Sequence, residues 1–250
     1  MNQYTHFARL YDTFMADIPY GKWCDMICGF LGARGMKDCT LLELGCGTGT
    51  FSFMMAERGY KVTGIDNSME MIYEASKRKK ARKTSDSAEF LCMDMRAFDT
   101  ENKFPVVLSV CDSMNYLENT FDLESAFECV RKNMTEDGIF IFDMKTEAFY
   151  ESLGDNVYTD SADEGVYIWE NDYDKEERNN FYYLTFFIRK RKELYTKVTE
   201  NHLQHAFTEE EVRNAAHKTG LKVMEVLGMD MTTPADFSKE RVYYILGGTK

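Results

Sequence analysis

The sequence has no run of about 18 apolar residues, the length that a membrane-spanning helix needs, so no transmembrane segment is expected. Residues 1–12 are polar and aromatic and lack the apolar core of a signal peptide, which predicts a cytoplasmic location. Hydrophobic residues nevertheless make up 44% of the 250 residues, enough to bury a sizeable core. We therefore expect a soluble globular protein that does not associate with a membrane.

The cysteines and histidines also lack the spacing of a structural site. The seven cysteines form an odd set without a C-x-x-C pair, and the four histidines have no metal-site spacing beside them. In a cytoplasmic protein this pattern disfavours both a disulfide framework and a zinc site. We predict reduced, mostly buried thiols and no metal cofactor. The cysteines are Cys24, Cys28, Cys39, Cys46, Cys92, Cys111 and Cys129.

An excess of positive charge is missing as well, because the formal net charge is -12 at pH 7. Such a surface repels polyanions, so nucleic acid is an unfavoured partner. The local exception is a basic run at residues 77–83. It falls at the end of a predicted helix, where cations also suit the helix dipole. We favour a solvated helix end over a nucleic-acid patch.

Helical and extended patterns alternate through the first 144 residues. Two helices are predicted before the first strand, because apolar residues recur at helical spacing on both sides of Pro19 and Gly21. Apolar strands are predicted at residues 41–44, 61–65, 89–93, 106–110 and 138–142, and helices at 50–58, 68–80 and 123–134. Continuous apolar strands that alternate with helices indicate a parallel sheet covered on both faces.

The character of the chain changes at residues 145–206, where aromatic and charged residues interleave in extended runs at 167–173, 181–190 and 194–200. These runs predict an inserted antiparallel meander. A helix at 208–219 follows, with Thr208 and Glu211 as a capping box, and strands at 223–227 and 242–246 close the chain. The predicted fold class is therefore α/β, with a doubly wound, mostly parallel, Rossmann-like seven-stranded sheet and a small inserted antiparallel β subdomain. The domains would be 1–144 plus 207–250, and 145–206 as a lid or substrate wall.

Residues 41–49 read Leu-Leu-Glu-Leu-Gly-Cys-Gly-Thr-Gly, an apolar strand that ends in alternating glycines before a helix. This arrangement presents backbone N–H groups and a helix N-terminus to a ligand. A P-loop is excluded because no Gly-Lys-Ser/Thr follows at the required distance. A dinucleotide fingerprint would need Gly or Ala where Thr50 stands. The spacing Glu43-x-Gly45-x-Gly47-x-Gly49 remains.

That spacing resembles the first motif of the class I S-adenosylmethionine-dependent methyltransferases. The resemblance implies S-adenosyl-L-methionine as cofactor and S-adenosyl-L-homocysteine as product. Residues 66–71 also match the family's Asp-x-Ser-x-x-Met form, and an acid at the end of a second strand suits ribose hydroxyls in any case. The cofactor residues implied so far are Glu43, Gly45, Gly47, Asp66, Asn67, Met71, the adenine-reading pair Asp94 and Met95, and Cys111.

An N-terminal phrase narrows the resemblance. It reads Tyr4-x-x-Phe7-Ala8-x-x-Tyr11-Asp12 and is followed by Trp23. It is similar to that of a bacterial and clostridial group of small methyltransferases, related in architecture to sugar-amine N-methyltransferases and glycine N-methyltransferase. The resemblance implies that N-terminal helices close over the cofactor and that Tyr4, Tyr11 and Trp23 contact it. Plain packing of Tyr11 and Trp23 on the sheet is the alternative.

Methyl transfer from a sulfonium is an in-line displacement, in which the protein mainly aligns the reactants and excludes water. An amine acceptor must be neutral to attack, so a carboxylate or imidazole is expected to take its proton. Asp112 is the first candidate and His202 and His205 follow, although histidines on a meander strand are often ordinary surface residues. Asp112, Asn115 and Tyr116 could face the acceptor, or could form a turn that caps the next helix.

We predict a methyltransferase that acts on the nitrogen or oxygen of a small-molecule acceptor. A non-catalytic S-adenosylmethionine-binding sensor or scaffold is the alternative, because a cofactor motif does not establish chemistry. An RNA methyltransferase would rest only on the basic runs at 77–83 and 189–192. Aromatic residues of the insertion could line a pocket or form the meander's own core, which we favour: Tyr167, Trp169, Tyr182 and Phe187. The sequence does not decide between a monomer and a homo-oligomer.

Overall fold

The first described element is a helix, α1 (Tyr20–Ala33), which precedes the first strand and begins directly after Pro19. A proline suits this position because its missing N–H would have no partner at a helix start. The computed structural model describes residues 18–80, 82, 85–162, 165–191 and 194–248. The earlier of the two helices predicted from the sequence, with Tyr4 and Tyr11, lies outside the described residues. Within the described ranges, no helix is long and apolar enough to cross a membrane.

The strands build two sheets. They are β1 (Thr40–Leu44), β2 (Lys61–Asp66), β3 (Ala88–Cys92), β4 (Phe104–Ser109), β5 (Met134–Lys145), β6 (Val157–Ala162), β7 (Gly165–Asp174), β8 (Asn179–Arg191), β9 (Leu194–His205), β10 (Leu221–Leu227) and β11 (Arg241–Gly248). One sheet has seven strands in the order β10-β11-β5-β4-β1-β2-β3, of which β1 to β5 run parallel. Strand β11 is antiparallel to β5, and β10 to β11. The predicted fold class is confirmed.

Both faces of the seven-stranded sheet are buried, since neighbouring residues of a strand point to opposite faces. Leu41 and Leu42 in β1 are fully buried, yet they belong to two different apolar clusters. The helices after α1 are α2 (Thr50–Glu57), α3 (Met69–Lys79), α4 (Thr120–Asn133), α5 (Glu147–Leu153) and α6 (Glu209–Lys218). Helices α4 and α6 cover the face of Leu42, whereas α1, α2 and α3 cover that of Leu41.

Helix starts follow the sequence signals. At α3 the Ser68 hydroxyl accepts a hydrogen bond from the Met71 N–H at 3.2 Å. At α6 both halves of the predicted capping box between Thr208 and Glu211 are present. Caps of this kind contribute about 1 kcal/mol each, and they fix where the connections between strand and helix end.

The second sheet is antiparallel, in the order β6-β7-β8-β9. The sequence predicts its three long strands but misses both β6 and α5. Strand β6 lies at the sheet edge and exposes residues such as Val157, which is 62% exposed, so no alternation of apolar and polar residues marks it. Helix α5 has only seven residues, too few for a helical period to stand out. Strand β9 also extends to His205, five residues beyond the predicted run.

Candidate functional site

A cavity of about 550 Å³ lies where the parallel strands end, between the seven-stranded sheet and the second sheet. Its size is within the range of small-molecule sites, roughly 300–1,000 Å³. Open α/β sheets bind ligands at this edge, beyond the carboxyl ends of the strands. Its walls come from the turns after β1, β2, β3 and β4 on one side and from β7, β8 and β9 on the other.

The turn after β1 is built for close approach to a ligand. Gly45 has φ +70, and a Cβ there would lie 2.7 Å from the Ser113 side chain. Gly47 has φ +53 and open space where its side chain would be. Both positions favour glycine, since a left-handed conformation costs other residues about 1–2 kcal/mol. The backbone of this turn therefore borders the cavity directly, and a side chain at position 47 would extend into the cavity.

Asp66, at the end of β2, holds this turn. One carboxylate oxygen accepts the Gly47 N–H at 2.9 Å, and the other accepts the Ser68 N–H at 2.9 Å. Burial raises the pKa of Asp66, although both hydrogen bonds act in the opposite direction. Each oxygen keeps a further lone pair, so the carboxylate can accept hydrogen bonds from hydroxyl groups of a ligand in the cavity that it lines.

Glu43 is the most strongly perturbed carboxyl of the donor side. It is 1% exposed and accepts a hydrogen bond from the Ser52 hydroxyl. Burial raises its pKa to about 8; the bond from Ser52 opposes the shift and the charge of Asp66 adds to it. A positive group in the cavity would stabilise the ionised form of Glu43 and draw that pKa down.

Carboxyl groups outnumber cationic groups in the described lining, even when Glu43, which is largely protonated at pH 7, is left out. Six carboxyl groups and three cationic groups line it: Glu43, Asp66, Asp94, Asp112, Glu118 and Glu240 against Arg96, Lys145 and Arg241. Low-dielectric walls strengthen the field of such an imbalance. The cavity is thus suited to a ligand that carries positive charge, such as a sulfonium.

Asp94 and Met95, after β3, line the cavity, and Asn67 and Met71 line it beside them. The Asp94 carboxylate is already engaged, because Arg96 donates to it from its backbone N–H at 2.8 Å and from Nη2 at 2.7 Å. The side-chain hydrogen bond from Arg96 is the main reason why the pKa of Asp94 is lowered. Arg96 thereby fixes the carboxylate that the resemblance assigns to adenine.

The loop after β4 is conformationally unusual. Cys111 and Asp112 have φ +62 and +51, values that are uncommon outside glycine. The Asp112 N–H donates to Asp143 Oδ2 at 2.9 Å, and the Ser113 hydroxyl donates to the Val110 carbonyl at 2.8 Å. Consecutive positive φ values persist only where the surroundings impose them, and they cluster at functional sites.

Asn115, in the short 3₁₀ turn Ser113–Tyr116, is fully buried and not part of the cavity lining. Its Nδ2 donates to the His205 carbonyl at 2.8 Å, and its Oδ1 accepts the Lys145 N–H at 3.0 Å. It therefore joins the β4 loop to β9 and β5 and does not face an acceptor. Tyr116 does line the cavity.

Asp112 is unsuited to the role of proton acceptor in which the sequence placed it first. Arg241 Nη2 donates to Oδ1 and Gln204 Nε2 donates to Oδ2, both at 2.8 Å, and Lys145 Nζ lies 3.9 Å from Oδ2. Burial opposes ionisation, but the charges of Lys145 and Arg241 and these hydrogen bonds prevail and lower the pKa of Asp112 to about 2. A carboxylate this stable as an anion is a weak base.

The two candidate histidines lie on opposite faces of β9. His202 is 2% exposed, lines the cavity and lies edge-on to the Tyr116 ring, with 6.0 Å between ring centroids. Its Nε2 is 3.7 Å from Glu200 Oε2, and burial lowers its pKa to about 4, so the imidazole is neutral at pH 7. His205 is not part of the lining; its Nδ1 lies 2.8 Å from Asn179 Oδ1. The structure therefore does not place His205 as a catalytic group.

Four aromatic residues of the insertion line the cavity: Tyr167, Trp169, Tyr182 and Phe186. The sequence favoured the meander's own core for Tyr167, Trp169, Tyr182 and Phe187, and of these four Phe187 alone is absent from the lining. Tyr182 serves both purposes, since it is 7% exposed and also packs with Tyr150. Trp169 Nε1 and Tyr182 Oη have no hydrogen-bond partner among the described residues. These two donors are available to a ligand.

Sequence reasoning missed Tyr20 and Arg241. Helix α1 brings Trp23 to the cavity, and Tyr20 lies one turn earlier with its hydroxyl 3.8 Å from Cys111 Sγ. Arg241 is 4% exposed and its guanidinium lies 5.0 Å from the centre of the Trp23 ring. An arginine directly before an apolar strand was the available signal, since a fully buried arginine requires partners.

The described residues include no group of three or more histidine, cysteine, aspartate or glutamate side chains placed to hold a metal ion. Two arginines of the basic run contact other parts of the chain: Arg78 Nη1 donates to the Thr48 hydroxyl at 2.8 Å, and Arg82 Nη1 lies 2.8 Å from Glu57 Oε1. Arg78 thus braces the glycine turn, which is a structural role for a side chain that sequence analysis placed at a solvated helix end.

Comparisons with known proteins agree with this geometry. A family model described as "Methyltransferase domain" matches residues 41–138. YqeM of Bacillus subtilis, which carries a methyltransferase name, is 30% identical over 243 residues, 96% of this chain and 95% of its own. The solved structure of an S-adenosylmethionine-dependent methyltransferase from Clostridium acetobutylicum is 27% identical, with a TM-score of 0.86 over 99% of both chains. An amino-sugar N,N-dimethyltransferase of Streptomyces venezuelae, specific by name for dTDP-3-amino-3,4,6-trideoxy-alpha-D-glucopyranose, is 26% identical over 54% of this chain and 55% of its own.

Proposed function

This chain belongs to the S-adenosylmethionine-dependent methyltransferases, and we propose that it methylates the amine nitrogen of a small, hydroxylated acceptor of the amino-sugar type. The observation that carries the proposal is a single cavity that joins the glycine turn to an aromatic wall bearing a neutral imidazole. The relative that is named for an amino-sugar substrate supports the choice of nitrogen over oxygen.

On the donor side, the chain's own groups fit the cofactor. Backbone at Gly45 and Gly47 offers the close approach that the methionine part requires, and Asp66 has lone pairs for ribose hydroxyls. Residues for the adenine ring follow β2 and β3: Asn67, Met71, Asp94 and Met95. The cofactor supplies an activated methyl group on a sulfonium, and the net negative lining favours that charge.

On the acceptor side, we propose that residues 145–206 form the wall that selects the substrate. Trp169 and Tyr182 present one ring face or edge and one hydrogen-bond donor each, a combination that matches a hydroxylated ring. Leaving such buried donors unpaired costs about 1–3 kcal/mol each. An acceptor with hydroxyl oxygens would satisfy them, whereas a purely apolar amine would not.

His202 is our proposed proton acceptor. An amine attacks only in its neutral form, and the nitrogen becomes more acidic as the new N–C bond forms. Burial makes this imidazole a weak base, with a pKa of about 4, but Glu200, with Oε2 3.7 Å from Nε2, stabilises the imidazolium that forms when His202 takes the proton. Asp112 acts as a positioning residue, because through Gln204 it holds the strand that carries His202.

The test is methyl transfer from labelled S-adenosylmethionine to matched acceptors. We would compare nucleotide-linked and free amino sugars with the corresponding sugars that carry a hydroxyl in place of the amine, and we would include total tRNA. Label in the amino sugars alone is the expected outcome. Transfer to tRNA would support an RNA methyltransferase instead. Tight binding of S-adenosylhomocysteine without transfer to any acceptor, including a cell extract, would support the non-catalytic module. The cytoplasmic location stays a prediction.

A further inference from the structure

Three sulfur atoms meet where α1 packs on α2, away from the donor and acceptor walls described above. Cys24 and Cys28 are one helical turn apart in α1. The Cys24 thiol lies 3.3 Å, and the Cys28 thiol 3.7 Å, from the same atom, Met55 Sδ of α2. As residues i and i+4 of one helix, Cys24 and Cys28 also point to the same side of α1, and each thiol shifts the pKa of the other. The three sulfurs therefore form a triangle, which we call the sulfur triangle.

The sulfur triangle is not arranged as a disulfide. Residues one turn apart on a helix have Cβ atoms about 5–6 Å apart, whereas a disulfide needs roughly 3.5–4.5 Å. Closing a bond between Cys24 and Cys28 would require local unwinding of α1. Such a bond would also not account for the contact that both thiols make with the thioether sulfur of Met55.

A soft metal ion fits the same atoms with little movement. Thiolate and thioether ligands select Cu(I). With metal–sulfur bonds of about 2.3 Å, as in zinc thiolates, three sulfurs around a trigonal ion lie about 4 Å apart. The Met55 distances are already 3.3 and 3.7 Å. We propose that Cys24, Cys28 and Met55 form a three-coordinate Cu(I) site.

Burial around the sulfur triangle agrees with this assignment. Cys24 and Met55 are fully buried, and Cys28 is half-buried, so an ion can enter from the side of Cys28. Binding of Cu(I) replaces the two thiol protons, which leave to solvent, and the resulting complex has a net charge of -1. Arg58 pairs with Asp25 beside this site, and its charge favours the ionised thiols whereas the charge of Asp25 opposes them.

The site would connect two helices that shape the donor cavity. Helix α1 carries Tyr20 and Trp23 into the cavity, and α2 starts directly after the glycine turn. A bound ion would thus tie α1 to α2 and stabilise the folded chain, since any ligand that binds only the folded state does so. This inference does not depend on which acceptor is methylated.

The test is an anaerobic titration of the full-length protein with Cu(I), in competition with the chromogenic chelator bicinchoninate. We expect one Cu(I) per chain. Cys24→Ala and Cys28→Ala should each weaken binding at least about 100-fold, because removal of residues that merely support a metal ligand already costs 10–100-fold. Met55→Leu should weaken it at least tenfold. Alanine suits a helix interior, and circular dichroism checks that each variant folds.

Matched controls are Cys129→Ala, which removes another buried helical thiol, and Cys92→Ala, which removes an exposed one. Both should bind Cu(I) like the parent protein. X-ray absorption of the loaded protein should show three sulfur neighbours. Unchanged affinity in either Cys24→Ala or Cys28→Ala overturns the site. Unchanged affinity in Met55→Leu, or a shell of two sulfurs, overturns the three-coordinate assignment.

Discussion

The buried carboxyl of Glu43 makes the stability of this protein depend on pH in an unusual direction. Its pKa is raised to about 8 by burial, from an ordinary value of 4.5. The folded protein therefore holds this proton more tightly than the unfolded chain does. The free energy of unfolding consequently falls as pH rises from about 4.5 to about 8, because in that window the folded state binds more protons.

The size of the effect follows from the width of that window. Each pH unit inside it changes the unfolding free energy by about 1.4 kcal/mol for one proton. Between pH 6 and pH 8, Glu43 should therefore cost the folded protein about 2 kcal/mol, allowing for half-titration at the upper end. Glu43 is 1% exposed, so solvent screening does not reduce this value much.

The substitution Glu43→Gln isolates the contribution of this carboxyl to the pH dependence of the unfolding free energy, because it removes the titrating proton and keeps the shape of the side chain. We expect the variant to gain about 2 kcal/mol of stability relative to the parent between pH 6 and pH 8. The measurement is urea unfolding of both proteins, without cofactor, at pH 6, 7 and 8. Other buried acids such as Asp143 are common to both proteins and cancel. A difference between the two proteins that stays constant to within about 0.5 kcal/mol would refute the raised pKa.

Three further changes probe the two sides of the cavity. Gly47→Ala places a methyl group in the backbone turn at φ +53, so it should weaken S-adenosylhomocysteine binding at least tenfold, as measured by calorimetry. The control Gly29→Ala, which adds a methyl group in open space on α1, should leave binding unchanged. His202→Gln should lower kcat by about 10²–10⁴-fold, with cofactor affinity unchanged; an equal loss in His205→Gln would contradict the assignment. Arg241→Met should destabilise the protein by about 3–5 kcal/mol in urea unfolding, because it leaves buried carboxylates without their partner. A loss below about 1 kcal/mol would show that the pairing is unimportant.

The parts of the fold that the sequence predicts are those whose signal is local. Strands such as β1 are continuous apolar runs because both faces of the sheet are covered, and the glycine turn is marked by residue types that only special backbone angles require. Strand β6 has no such signal, because it is an exposed edge that pairs on one side with β7. Its position depends on the neighbouring strand, which local sequence patterns do not encode.

The candidate site divides in the same way. The donor side follows from successive strand ends, so Gly47 and Asp66 could be placed together from their spacing alone. The role of Asp112 could not, because it is decided by residues far along the chain. Arg241 is 129 positions away and Gln204 is 92 positions away, and their hydrogen bonds convert a candidate base into a fixed anion.

Hydrogen bonds between residues distant in sequence fix the position of one side of the cavity relative to the other. The β4 loop lines the donor side, and two of its residues reach β9: Asp112 accepts from Gln204, and Asn115 donates to the His205 carbonyl. Strand β9 also carries His202, so the proposed base is tied to the loop after β4, which lines the same cavity. In-line displacement tolerates little misplacement, and an error of about 1 Å can cost 100-fold in rate. The buried ion cluster around Arg241 is therefore best explained by alignment, since a cluster of charges contributes little to stability compared with apolar packing.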